Sequence, residues 1–453
     1  MLMAIITLYL VLAVNPEVIT LNLEPIVQDV IIEDINQDNL KDLIFLICEE
    51  DGYDKKLVAF YQQQGIPKYN EKFSFVFPIH EPCSVLFTTR VEKNKHSIVI
   101  ANSDGFSIYN FQGNSATLEK HISFASVFPY NSKEPVILGN ISYDLDNDGT
   151  DEWFIPTSHG VTIFKNYAPT SEVSFHVFHE IFLGNNPTLY YQFPVIYPVK
   201  SSKDKSNPIA FWGDKELVFA HGENWNLTTK INIERKNPEK WDSTYRLGDV
   251  NKDSFPDVLL TETQGTLNLK TNVYMYISEG DFKYPEQPQF EYKIKGAVCL
   301  PVIKDVNNDN QDDLVLFNIP IGLTNFINFF VRGKLSVDSK VFLSDGKQLP
   351  SKPSYQTNIL MDAPEGKDQI AYAVDDFSGD GLLDIAFGRA RNTLQINTTS
   401  FSEGTMKIKQ WIKLNIPGFG LIKTTNINDN KSRDMIIYHP AGENKNRADI
   451  IIF

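Results

Sequence analysis

Asp376-Phe-Ser-Gly-Asp-Gly-Leu-Leu-Asp384 is the stretch whose reading decides the fold, and the apolar run Ile385-Ala-Phe387 follows it at once. Oxygen-bearing side chains stand at its first, third, fifth and ninth positions (Asp376, Ser378, Asp380, Asp384), Leu382 at the seventh offers a backbone carbonyl, and Gly381 at the sixth allows a sharp turn. A short loop with this spacing can wrap a hard cation, because Ca²⁺ takes roughly 6–8 oxygen ligands from carboxylates, amides, carbonyls and water. The order recurs four times. Asp144, Asp146, Asp148, Thr150 and Glu152 make the most acidic copy. Asp34, Asn36, Asp38, Leu40 and Asp42 form another, as do Asp249, Asn251, Asp253, Phe255 and Asp257, and Asp305, Asn307, Asp309, Gln311 and Asp313. Each set is a candidate ligand set for one Ca²⁺, which makes about five sites in a repeat protein.

An EF-hand would need flanking helices and a bidentate Glu at position twelve. Position twelve is instead Phe45, Ile155, Leu260, Leu316 and Phe387, each inside a run such as Leu43-Ile-Phe45 or Val258-Leu-Leu260 that reads as a strand. The loops therefore join strand to strand. In this the segment from Asp376 to Ala386 and its four sister loops resemble the calcium loops of FG-GAP/VCBS repeats, the blades of the propeller of integrin alpha subunits and of many bacterial exported proteins. The resemblance spans nearly the whole chain after its first residues, although the Phe-Gly and Gly-Ala-Pro signatures are absent apart from Phe387-Gly388. It implies an all-β, calcium-binding propeller.

Loop starts at 34, 144, 249, 305 and 376 are separated by steps of 110, 105, 56 and 71 residues. The first two steps are twice the third, so a repeat without an ion loop is expected midway in each. One is placed at Thr89, ahead of Ile98-Val-Ile100, and one at Lys200, ahead of Ile209-Ala-Phe211. Glycine recurs sixteen residues after the starts at 89, 144 and 249 (Gly105, Gly160, Gly265) and marks the turn between the second and third strands. The Lys200 repeat lacks that glycine, with Gly213 nearby. An eighth copy, Asn426 to Asp434, has Asn at positions one, three and five, which brings amide oxygens without charge. Eight starts average 56 residues apart, the size of a four-stranded blade. Eight blades are expected, with seven and an insert as the alternative. In the two repeats without acidic loops, Lys93 and Lys200 fall at ligand positions, where an ammonium would replace the cation. Gly333 to Gln356, rich in Lys, Ser, Asp and Pro, reads as an excursion from one blade.

Only two strand-like runs follow Asp434, Met435-Ile-Ile-Tyr438 and Ala448-Asp-Ile-Ile-Ile-Phe453, which leaves the last blade one strand short. Glu17-Val-Ile-Thr-Leu-Asn-Leu23 alternates apolar and polar residues and supplies the missing strand, outermost and beside Ile450 to Phe453. Such closure removes an open sheet edge.

Residues 1–13 are almost wholly apolar and end in a small residue, the pattern of a secretory signal without its basic start; residues 14–453 then form the propeller. A buried first strand, or a leader whose basic start is missing, are the other readings. The segment is too short to span a bilayer, which needs about 20 residues. A net charge of −15 argues against binding nucleic acid or anionic membrane through a basic surface. The cysteines, Cys48, Cys83 and Cys299, form no disulfide framework; a Cys48–Cys83 bridge is the one pairing left open.

Signs of catalysis are few. His176 and His179 are three apart, which on a strand points them to opposite faces, and neither His-Glu-x-x-His nor Gly-x-Ser-x-Gly occurs. Asn140, Asn226 and Asn397 begin glycosylation-type triplets, which matter only in a eukaryotic secretory pathway. Two functions fit: an exported, non-catalytic module that presents loops to a protein or carbohydrate partner, or a calcium-dependent polysaccharide lyase on the same scaffold. A lyase needs a base beside the cation, and no Lys, Arg or His cluster stands out along the chain. Binding is the reading adopted.

Overall fold

The apolar runs that follow the loops show no alternation because both of their faces are buried. In the strand Asp42–Cys48, the side chains of Leu43, Phe45 and Ile47 enter a cluster with Leu21, Ile436 and Ile450. Their neighbours Ile44, Leu46 and Cys48 enter a second cluster with Leu86, Ile98 and Ile100. Each sheet is thus wedged between two others. The computed structural model describes residues 16–453 except 66–67, 94, 178, 183–187, 192, 201–206, 214–215, 235, 237–240, 266–268, 322–328, 330–331, 365–367 and 403–404. The candidate signal at 1–13 lies outside the described residues.

Eight four-stranded sheets form a ring, an eight-bladed β-propeller. Blades one to seven occupy residues 26–79, 85–123, 142–174, 195–232, 242–295, 297–362 and 372–414. In each, consecutive strands lie side by side and antiparallel. The first strands of neighbouring blades touch, as Asp242–Gly248 does Ala297–Lys304, so they line the inside of the ring. Eight buried apolar clusters fill the spaces between adjacent blades, and the one holding Leu43 and Ile450 joins blade one to blade eight.

Blade eight has three strands from the chain's end, Leu421–Thr425, Asp434–Tyr438 and Arg447–Ile452, and its fourth is Glu17–Asn22 from the start. Glu17 stands opposite Ile452 and Asn22 opposite Arg447, so the terminal strand closes the ring as its alternation implied. Thr20 Oγ1 adds a 2.6 Å hydrogen bond to the buried carboxylate of Asp449.

Two expectations need correction. Blade two exists, but Thr89 lies inside its first strand, Val85–Glu92, and the next begins at Lys95, so a tight turn replaces the nine-residue loop. Gly333 to Gln356 is no excursion: it contains the whole strand Lys334–Phe342 and the start of Tyr355–Asp362, leaving only residues 343–354 as a loop. Cys48, Cys83 and Cys299 are all free and buried. The Lys200 repeat is a full blade, with Val195–Pro198 followed by Ile209–Trp212, although most of the intervening loop lies outside the described residues.

Gly160 shows why the turn between second and third strands takes glycine. Its φ is 145°, and a Cβ there would sit 1.9 Å from the carbonyl oxygen of Val173. Two additions break the repeat. The strand Val136–Ile137 pairs in parallel with Val85–Glu92, and a hairpin of His179–Phe182 with Thr188–Tyr191 stands between blades three and four. Among the described residues no helix is long and apolar enough to cross a membrane.

Candidate functional site

All five acidic loops connect the first strand of a blade to its second, in blades one, three, five, six and seven, so they rim one face of the ring. Their backbones agree. Positions four and six have positive φ in every copy: Gln37 and Asn39, Asn147 and Gly149, Lys252 and Ser254, Asn308 and Asn310, Gly379 and Gly381. Only two of these residue pairs include glycine, which is why the turn was not legible from glycine alone. Asn tolerates the left-handed region better than most residues.

The position-one carboxylate gathers the loop around itself. Asp34 accepts the N–H groups of Asp38 and Asn39 at 3.1 and 2.8 Å, and Asp249, Asp305 and Asp376 accept the matching pair. At position three, the side-chain oxygens of Asn36, Asp146, Asn251 and Asn307 accept the N–H of position five at 3.0–3.2 Å. At position five, Asp38, Asp148, Asp253, Asp309 and Asp380 accept the N–H of Leu40, Thr150, Phe255, Gln311 and Leu382 at 2.8–2.9 Å.

Position nine behaves differently. Asp42, Glu152, Asp257, Asp313 and Asp384 open the second strand and are fully buried. One oxygen of each accepts the N–H of position two: Ile35, Leu145, Val250, Val306 and Phe377, at 2.6–3.2 Å. In four of the five, the other oxygen accepts an N–H across the sheet, from Gln62, Ser278, Ser344 or Thr399, at 2.7–3.2 Å. This carboxylate staples the loop to the blade. Burial pushes Asp42 and Glu152 up to about 7 and Asp313 and Asp384 up to about 6, and holds Asp257 well above the usual carboxylate range.

Position eight fastens one blade to the previous one. The N–H of Asp151 donates to the carbonyl of Arg90, that of Asp312 to Asp249, that of Leu383 to Val306 and, in the eighth loop, that of Arg433 to Asp376. Sequence reading passed over this position because its side chain varies while its backbone does the joining.

The residues that could hold a hard cation are those of positions one, three, five, seven and nine. Buried oxygens of Asp144 (Oδ1), Glu152 (Oε1) and Asn426 (Oδ1) have no hydrogen-bond partner. All three lie at ligand positions, where a positive charge, whether a metal ion or an ammonium group, would compensate them. Asp144, Asp146 and Glu152 are the one group among the described residues whose carboxylates bring three oxygens within 4.8 Å of one another. In that loop Lys165 also enters, paired with Asp146, 3.0 Å from Asp148 and 3.7 Å from Glu152. The Asn426 to Asp434 loop is closed differently: Asn428 and Asn430 turn their amide N–H groups onto the backbone oxygen of Phe453 at 2.9 and 2.6 Å.

Where blades one to four meet on the same face, a cleft of about 480 Å³ is lined by Glu33, Arg90, His96, Tyr143, Asp144 and Lys200 among others. Arg90 donates to Asp151 at 2.9 Å and lies 3.4 Å from Asp144, and His96 lies 3.8 Å from Glu33. The tertiary structure thus assembles basic groups that are scattered along the chain.

No family model and no curated protein matches the chain. Among solved structures it is similar to an Agrocybe aegerita lectin that recognises non-reducing terminal N-acetylglucosamine, at 13% identity and a TM-score of 0.42, covering 85% of this chain and 94% of that one. It is also similar to the WD40 domain of SCAP from fission yeast, at 10% identity and a TM-score of 0.41, covering 97% and 94%. What those proteins bind is a property of those proteins.

Proposed function

We propose that the protein is a calcium-stabilised propeller of the FG-GAP/VCBS type, exported from the cell, that acts as a non-catalytic binding module for a protein or carbohydrate partner. The observation that carries this reading is the repetition of one loop geometry in five blades on a single face, with oxygen-bearing side chains at the same positions of each loop. Asp and Asn oxygens with a backbone carbonyl are the donor set that hard divalent cations take. When bound, Ca²⁺ would neutralise clustered carboxylates and brace the loops; the partner is met by the surface those loops support.

The cleft between blades one to four is the concave part of that face. Its Arg90 and His96 face carboxylates, so the cleft offers charged groups of both signs to a polar ligand. A glycan and protein-partner screen with the full chain, in millimolar Ca²⁺ and in excess EDTA, tests the proposal. Saturable binding is expected in Ca²⁺ only, weakened by Lys200→Glu in the cleft. Binding that is indifferent both to chelation and to the cleft would oppose it.

A further inference from the structure

We propose that the acidic loop of blade three is filled by the protein's own ammonium group, that of Lys165, and takes no metal ion, so that the chain binds Ca²⁺ in four loops instead of five. The inference rests on the calcium reading for blades one, five, six and seven. It concerns blade three alone.

Register places Lys165 there. Trp153 pairs with Phe164, which sets Lys165 opposite Glu152 at position nine. The residue in the same place is Tyr61 in blade one, Ile277 in blade five, Leu343 in blade six and Thr398 in blade seven. Only blade three of these has a cation at this point. Its side chain is one-fifth exposed, and Nζ reaches the oxygens of positions three, five and nine together.

Charge agrees with geometry. The other four loops have three carboxylates at positions one, three, five and nine, with Asn or Ser at position three; blade three has four, because Asp146 replaces that neutral residue. Asp146 is the residue paired with Lys165. One ammonium therefore offsets the extra carboxylate that blade three alone carries.

The staple also departs here. Asn166, which follows Lys165, adopts a φ of 51°, and the second oxygen of Glu152, Oε1, receives no N–H. In the other four loops that oxygen accepts a backbone N–H. Glu152 is fully buried and Oε1 faces Lys165. The ammonium takes the place of both the missing donor and the cation. Leaving such a carboxylate uncompensated would be costly.

The test compares Ca²⁺ stoichiometry, by equilibrium dialysis, between the wild-type chain and Lys165→Met, with Lys165→Gln as a second variant. One further equivalent of bound Ca²⁺ in either variant is expected, together with a lower melting temperature in EDTA than the wild type. No gain in either folded variant overturns the proposal. Crystals of the wild type soaked in Tb³⁺ give a readout that does not depend on a variant: an anomalous peak among Asp144, Asp146 and Glu152 also overturns it. The calcium reading fails separately, if Asp249→Asn and Asp305→Asn leave wild-type stoichiometry unchanged.

Discussion

Asp257 shows what a single position-nine carboxylate holds together. Its two oxygens accept the buried N–H groups of Val250 at 2.6 Å and Ser278 at 2.7 Å. Asp257→Ala would orphan both, at about 1–3 kcal/mol each, so urea unfolding should show a loss of several kcal/mol, with Asp257→Asn losing less because it keeps one acceptor. Ser254 pays for its place differently. Its φ of 73° lies in a region that disfavours side chains by about 1–2 kcal/mol, part of which glycine returns as extra freedom in the unfolded chain. Ser254→Gly should therefore stabilise by about 0.5–1 kcal/mol. Gly381→Ala should do the reverse, since its φ is 88° and a Cβ would sit 2.5 Å from Nδ2 of Asn308 in the neighbouring loop.

The loop and its two strands form the unit in which pH acts. Position-nine carboxylates raised to about 6–7 by burial bind protons in the folded state that the unfolded state, with ordinary values near 4, releases. Between these values the folded protein holds more protons, so this contribution to stability falls as pH rises from about 4 through 7. In EDTA the melting temperature should be higher near pH 5 than near pH 7.5, and Ca²⁺, which favours the ionised form, should shrink or reverse that difference. A chelated protein whose melting temperature climbs steadily over the same range would contradict this account. The strand-to-strand setting of the loops was legible because residue order and the apolar sequel repeat together. Lys165 was not legible, because its meaning depends on a cross-strand register that no local spacing contains.

Ring closure is the property of the whole molecule. Deleting residues 16–22 would remove the partner of Arg447–Ile452, bare a sheet edge, and uncover the cluster that Leu21 shares with Leu43 and Ile450. The truncated chain should melt well below the full one and aggregate, as light scattering on heating would record; an unchanged melting curve would show that the strand is dispensable. Calcium should act at the same scale. Each site occupied at ten times its Kd contributes about 1.4 kcal/mol, and position-eight contacts pass that support to the preceding blade. Chelation should thus lower the melting temperature without abolishing the fold.

The sequence by itself favoured eight blades over seven and located the five acidic loops and the pairing of the two ends, because each depends on patterns repeated at intervals of about 56 residues and on the period of a strand. It misplaced the boundary in blade two, where a core-facing run can be aligned without knowing that the preceding strand runs on to Glu92 and the next begins at Lys95. Tertiary structure alone decided which charges meet: Lys165 with the blade-three loop, Arg90 with Asp151 of the next blade, and the amides of Asn428 and Asn430 with the backbone of Phe453. Those contacts join residues 13 to 61 positions apart in the chain, Lys165 to Glu152 and Arg90 to Asp151 at the extremes, through strand pairing and blade packing. Spacing along a chain constrains only what a single loop or strand can reach.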